Sequence, residues 1–155
     1  MTIFEKIIRR EIPAEIVWED DEALAFRDVN PQAPVHVLIV PKRVIPRLAA
    51  ATEADGALFG KLLLASRKVA EKLDLLKSGY RVVINSGPDA GESVPHLHLH
   101  VLGKLLLASR KVAEKLDLLK SGYRVVINSG PDAGESVPHL HVHVLGKRAL
   151  AWPPG

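Results

Sequence analysis

His96-Leu97-His98-Leu99-His100-Val101-Leu102 alternates imidazole with an apolar residue before ending on two apolar positions. Side chains on a β-strand point to opposite faces in turn, so this order puts three imidazoles on one face and the leucines on the other. A helix would scatter the same residues around its axis. The spacing therefore predicts a strand over 96–102 whose apolar face enters a core. The order recurs at His139-Leu140-His141-Val142-His143-Val144-Leu145, and the one histidine outside the two runs is His36.

The stretch ahead of each run is rich in turn formers: Ser86-Gly87-Pro88-Asp89-Ala90-Gly91 and Ser129-Gly130-Pro131-Asp132-Ala133-Gly134. Glycines expose backbone N–H groups and let a phosphate approach closely. Asn85 and Ser93 flank the first loop, Asn128 and Ser136 the second, and their side chains add hydrogen-bonding groups. A hairpin connection needs the same Gly and Pro simply to turn. The histidines that follow make each loop a candidate anion site.

The recurrence is part of a longer repeat. Shifted by 43 residues, Gly60 to Lys104 lies on Gly103 to Lys147, and only Leu99 against Val142 differs. Two copies without a third do not make a solenoid. Subtracting one 43-residue copy from 155 residues leaves 112, the size of a small domain. The repeat reads as a tandem duplication inserted into a complete parent.

The rest of the chain reads as an α+β pattern on antiparallel strands. Thr2 and Glu5 form a capping box for a short helix with Ile3, Phe4, Ile7 and Ile8 on one side, ended by Pro13. Ile16 to Trp18, Ala23 to Arg27 and Val35 to Val40 read as strands, the last stopped by Pro41. Thr52 and Asp55 start the longest helix, whose Leu58, Leu62, Ala65, Val69 and Leu73 step by three and four. Tyr80 to Asn85 is a strand. The second copy supplies a further helix over 105–116 and strands over 123–128 and 139–145.

Composition narrows the function. The chain has no cysteine, which excludes disulfides, thiolate metal sites and cysteine nucleophiles. With 21 Lys+Arg against 18 Asp+Glu and no basic block longer than two residues, nucleic-acid binding is not expected. No apolar run approaches the ~18 residues a membrane span needs. Met1 to Arg10 does not read as a signal peptide, so a soluble cytoplasmic protein is expected. There is no P-loop, G-x-G-x-x-G, G-x-S-x-G or H-E-x-x-H motif.

Three chemistries fit the histidines. They can be a solvated strand face, or buried rings satisfied by the backbone. They can bind zinc or copper, although no carboxylate lies within three residues of either run. Or one imidazole can act as a nucleophile at phosphorus while its neighbours fix tautomers and carry protons.

The motif His-φ-His-φ-His-φ-φ, with φ apolar, resembles the signature of the histidine triad proteins. Phe26-Arg27-Asp28-Val29-Asn30-Pro31-Gln32-Ala33-Pro34-Val35-His36, Val40-Pro41-Lys42, Ser93-Val94-Pro95-His96 and Trp152-Pro153-Pro154-Gly155 are similar to segments of its Hint branch. The resemblance covers essentially the whole chain once one copy is removed. It implies an antiparallel sheet with two helices, to which the repeat adds a helix-strand-strand unit. It implies a purine nucleoside phosphoramidate hydrolase that needs no metal or other cofactor and forms a homodimer. In that reading His98 or His141 attacks the α-phosphorus and forms a nucleotidyl-histidine. His36, with His100 or His143, assists proton transfer, and His96 or His139 completes the triad. Asp28 accepts hydrogen bonds from the ribose. Asn85, Gly91 and Ser93, or Asn128, Gly134 and Ser136, serve the phosphate. The alternatives kept beside it are a purine nucleotide-binding or interaction protein without turnover, and a histidine-rich metal-binding protein.

A chain with one Asp28 and one His36 can complete one site by itself. Copy one can complete the domain over 1–102 while copy two, 103–145, packs as a partner would and 146–155 forms the tail. Copy two can instead complete the domain, or chains can exchange copies in a swapped homo-oligomer. The first is expected, because copy one is joined through the parental connection and copy two has an apolar helix face to bury.

Overall fold

The computed structural model describes residues 1–101 and 113–151. Residues 113–115 of the helix expected over 105–116 are helical and Leu116 already lies in a turn; residues 102–112 and Trp152 to Gly155 lie outside the described residues.

The capping box at Thr2 forms in both directions. Thr2 Oγ1 accepts the Glu5 N–H at 3.2 Å and the Glu5 carboxylate accepts the Thr2 N–H at 2.6 Å. It opens α1, Ile3–Ile8. Phe4 and Ile7 are buried, but Ile3, expected on the same face, is exposed at the helix end. Three strands follow: β1, Ile16–Glu19; β2, Ala23–Arg27; and β3, Val37–Pro41. The expectation for β3 was 35–40 with Pro41 as a stop. Pro41 instead ends the strand from inside, paired with Ala23. A terminal proline lacks only an N–H, and its carbonyl is still available.

The long helix, α2, spans Gly56–Lys72 and is preceded by a 3₁₀ turn at Glu53–Asp55. There the Asp55 carboxylate accepts the Thr52 N–H at 2.7 Å. β4, Tyr80–Ser86, and β5, Leu99–His100, complete the first copy. The strand expected over 96–102 is thus shorter. Val101 N–H bonds Val37 O at 2.9 Å, alongside β3, but Leu97 N–H bonds Ile45 O at 2.7 Å, beyond the end of β3, so only Leu99 and His100 complete the ladder. β6, Tyr123–Ser129, and β7, His143–Gly146, come from the second copy.

The seven strands of the described residues form one antiparallel sheet in the order β1-β2-β3-β5-β4-β6-β7. One face buries Ala25, Ile39, Val82, Ile84 and Leu99 with Phe59, Leu62 and Val69 of α2. On the other face, Leu24, Phe26, Leu38 and Val40 pack with Phe4 and Ile7 of α1. Covered on both faces, β2 and β3 read as continuous apolar runs. No helix among the described residues is long and apolar enough to cross a membrane.

The two copies meet along β4 and β6, where Val83 pairs with Val126, Tyr80 with Ser129 and Ser86 with Tyr123. Val83 and Val126 are equivalent residues, 43 apart, so the repeat pairs with itself about a local two-fold axis, as an isologous dimer does. The flanking bonds obey the same symmetry: Asp89 N–H to Ser121 O and Asp132 N–H to Ser78 O, both 3.0 Å. The crossing demands glycine. Gly87, at φ 93°, would place a Cβ 2.8 Å from Gly122 Cα.

The one sequence difference between the copies also has a structural reading. Leu99 is fully buried, whereas Val142 is half-buried. Leu99→Val, which makes the copies identical, should cost about 1 kcal/mol in stability by denaturant titration. Val142→Leu should change it by only a few tenths.

Candidate active site

β3, β5 and α1 bring histidines from distant parts of the chain together. His96, His98 and His100 are 0%, 3% and 8% exposed. His96 Nε2–H donates to the Pro41 carbonyl at 2.8 Å, and its Nδ1 lies 3.2 Å from Thr2 Oγ1, which can donate to it. Both nitrogens are thereby engaged, and the ring is fixed. His98 Nδ1–H donates to the His96 carbonyl at 2.7 Å. That bond fixes the tautomer and leaves the lone pair on Nε2, as a nucleophilic imidazole requires. The Phe4 ring stands edge-on to His98 at 5.1 Å between centroids, and the His100 ring at 4.9 Å.

His36 follows the same logic. Its Nδ1 accepts the Gln32 N–H at 3.1 Å, so Nε2 carries the proton. Nε2–H then points to His100 Nδ1 at 2.9 Å, with Asp28 Oδ2 at 3.5 Å. His100, accepting at Nδ1, carries its own proton on Nε2. Asp28 also caps its own loop, since Oδ1 accepts the Asn30 N–H at 2.9 Å. Asp28, His36 and His100 each bring one potential metal-ligand atom within 4.8 Å of the others. A metal ion there would have to break the His36–His100 hydrogen bond.

The loop departs from the simple expectation of a cradle of exposed N–H groups. Gly87 N–H donates to the Glu92 carboxylate at 2.8 Å, which also pairs with Arg47 at 2.9 Å. Gly91 N–H bonds Pro88 O at 3.0 Å. At φ 76°, Gly91 offers a ligand the absence of a side chain rather than its N–H. Ser93 is exposed between this loop and His96. Asn85 is buried at the end of β4, and its Oδ1 accepts Arg124 Nε–H at 2.9 Å.

The second copy repeats the local geometry in other surroundings. His141 Nδ1–H donates to the His139 carbonyl at 2.7 Å, and the His141 and His143 rings stand 5.0 Å apart. Asn128 accepts from Arg81 at 2.7 Å, and Gly134 keeps φ 75°. Gly134 and Ser136 are exposed, as Gly91 and Ser93 are, yet His139 and His143 are exposed and His141 and Asn128 only half-buried where their equivalents are buried. Thr2, Gln32, His36 and Pro41 serve the first copy.

Sequence reasoning missed Thr2, Phe4, Gln32, the Pro41 carbonyl and Arg124. Thr2 was legible as a helix cap and Pro41 as a strand end, but neither role points to a histidine 55 or more residues away.

Burial is the first cause that lowers the pKa of His36, His98 and His100. Neighbouring imidazolium charge and Arg124 depress His100 further, while Asp28 opposes the shift at His36 and His98. All three rings are therefore neutral at pH 7. Folded values below the unfolded value near 6.5 mean that stability is complete above that pH and is lost as pH falls from it toward the folded values. The acid limb of any histidine-dependent kcat/KM profile should lie below pH 6.5 as well. A midpoint at or above 6.5 would contradict the burial.

The family model described as the HIT domain matches twice, over residues 9–106 and 102–150. An uncharacterized HIT-like protein of Synechocystis sp. is 61% identical over 101 residues, 65% of this chain and 88% of that protein. A HIT family hydrolase from Legionella pneumophila superposes with a TM-score of 0.64 at 41% identity, over 69% of this chain and 96% of that one. A histidine triad protein from Clostridium difficile gives 0.63 at 41% identity, over 67% and 91%. Matched by sequence and by fold over most of its length, the chain belongs to the HIT domain family.

Proposed function

We propose that the chain hydrolyses purine nucleoside 5′-phosphoramidates at one centre per chain. Residues 1–102 would form the working domain, 103–145 a built-in partner and 146–155 the tail. The observation that carries this reading is the His98 Nδ1–H bond to the His96 carbonyl, which leaves Nε2 with a lone pair in a buried, neutral ring. In the reaction, His98 Nε2 forms a bond to the α-phosphorus as the bond to the leaving amine breaks. The bound phosphate's negative charge favours one added proton on the His100–His36 pair, and the amine departs with that proton from His100 Nε2. Water then cleaves the nucleotidyl-histidine, returns a proton to the His100–His36 pair and releases the nucleoside monophosphate. Asp28 would accept from the ribose hydroxyls, and Asn85, Gly91 and Ser93 would face the phosphate.

The test is turnover of adenosine 5′-phosphoramidate, with an alkaline quench and mass analysis for an adenylylated histidine. Release of AMP with the adduct on the His98 peptide supports the proposal; a folded protein that releases none refutes it. The near-complete burial of His98 favours a second reading, purine nucleotide binding without turnover. Calorimetric binding of AMP with no product would select it.

A further inference from the structure

We infer that Arg124, from the second copy, is a positioning residue for the site built on the first copy. This inference rests on the function proposed above. Arg124 lies on β6 yet reaches across the self-paired strands to three places. Its Nε donates to Asn85 Oδ1 at 2.9 Å, Nη2 to the Ala90 carbonyl at 3.1 Å and Nη1 to the Ala151 carbonyl at 3.0 Å. It thus ties the end of β4, the glycine loop and the start of the tail. Leu150 N–H adds a bond to the Asp89 carbonyl at 2.9 Å. A Cβ on Gly91 would lie 3.8 Å from the Leu150 carbonyl and 4.0 Å from Arg124 Nη2, so the guanidinium sits beside an exposed residue of the loop. At 4% exposure this is a buried cation, which must be held by hydrogen bonds on several sides to be tolerated. Its planar fork supplies parallel donors that lysine cannot.

The repeat provides an internal control. Arg81, the equivalent residue of copy one, makes the mirror-image bonds: Nε to Asn128 Oδ1 at 2.7 Å and Nη2 to the Ala133 carbonyl at 3.1 Å. Those groups stand near the end of β6 and in the second copy's loop, and among the described residues the histidines after that loop meet no counterpart of His36, Thr2 or Pro41. The two arginines have the same neighbours by sequence and nearly the same bonds. Only one of them braces a loop beside the buried histidines. Loss of Arg124 would free the Asn85 amide to rotate and let the loop shift relative to His98, and a misplacement of ~1 Å can cost about 100-fold in rate.

The experiment compares Arg124→Gln, Arg124→Lys and Arg81→Gln with the parent full-length chain on adenosine 5′-phosphoramidate. Each protein is also followed by imidazole NMR across pH. Arg124→Gln should lower kcat about 10- to 100-fold with a smaller change in KM. Arg124→Lys should recover part of the loss, and Arg81→Gln should stay near the parent despite a similar drop in melting temperature. Arg124→Gln should also raise the titration midpoint of His100, whose ring Arg124 influences together with His36 and His98; Arg81→Gln should not. Equal kcat losses in the two glutamine variants would overturn the inference and leave Arg124 as an interface residue. An inactive parent would refute the hydrolase proposal. The NMR comparison would still decide whether Arg124 acts on the His100 site, with an unmoved His100 counting against it.

Discussion

His98→Ala should abolish hydrolysis, with a loss of at least about 10⁴-fold in kcat, whereas His141→Ala should leave it within about twofold. The two substitutions remove the same side chain from the same motif. In the first copy the ring is 3% exposed, fixed by the His96 carbonyl and flanked by Phe4 and His100. His100 is in turn bonded to His36. In the second copy the ring keeps its bond to the His139 carbonyl but has no counterpart of His36. Nucleophilicity set by local tautomer alone would make the variants equivalent. Nucleophilicity that also requires a buried pocket and a proton-carrying pair makes them differ by orders of magnitude. Steady-state assay of both, with circular dichroism to confirm folding, decides between these accounts. Loss confined to His141→Ala would refute the assignment.

Ile127→Asp should destabilise the protein by about 4 kcal/mol or more. Ile127 is 1% exposed and pairs with Val82 across the β4–β6 boundary. A carboxylate there would be buried without a partner, between strands that rely on self-complementary apolar residues. For a chain of this length the loss corresponds to a fall in melting temperature of roughly 8–16 °C. Because Arg124 and the residues after β7 are delivered by the same boundary, activity should fall in parallel. A melting temperature within a few degrees of the parent would mean that the copies do not share a continuous sheet.

Much of this was legible along the chain. The alternation at 96–102 placed the imidazoles together, the capping box at Thr2 marked the start of α1, and Thr52 with Asp55 marked the approach to α2. The apolar steps from Leu58 to Val69 described the buried face of α2. These are local signals, set by strand and helix periodicity and by backbone groups within a few residues of each other. Strand limits were less legible. β3 runs through Pro41, and β5 shrinks to two residues, because pairing depends on what lies alongside.

By itself the sequence determined the α+β class, the repeat and the histidine motif in duplicate, since each depends only on residue order. It could not distinguish His98 from His141, because the copies are identical but for Leu99 and Val142. Only the tertiary structure separated them. β3 has one edge to offer, and β5 of the first copy occupies it. Burial, the His36 contact and the lowered pKa values follow from that placement. So does the reach of Arg124, because antiparallel self-pairing carries each copy's arginine onto the other copy's loop. These are long-range consequences of packing, and a pair of nearly identical segments contains no local signal that could assign them.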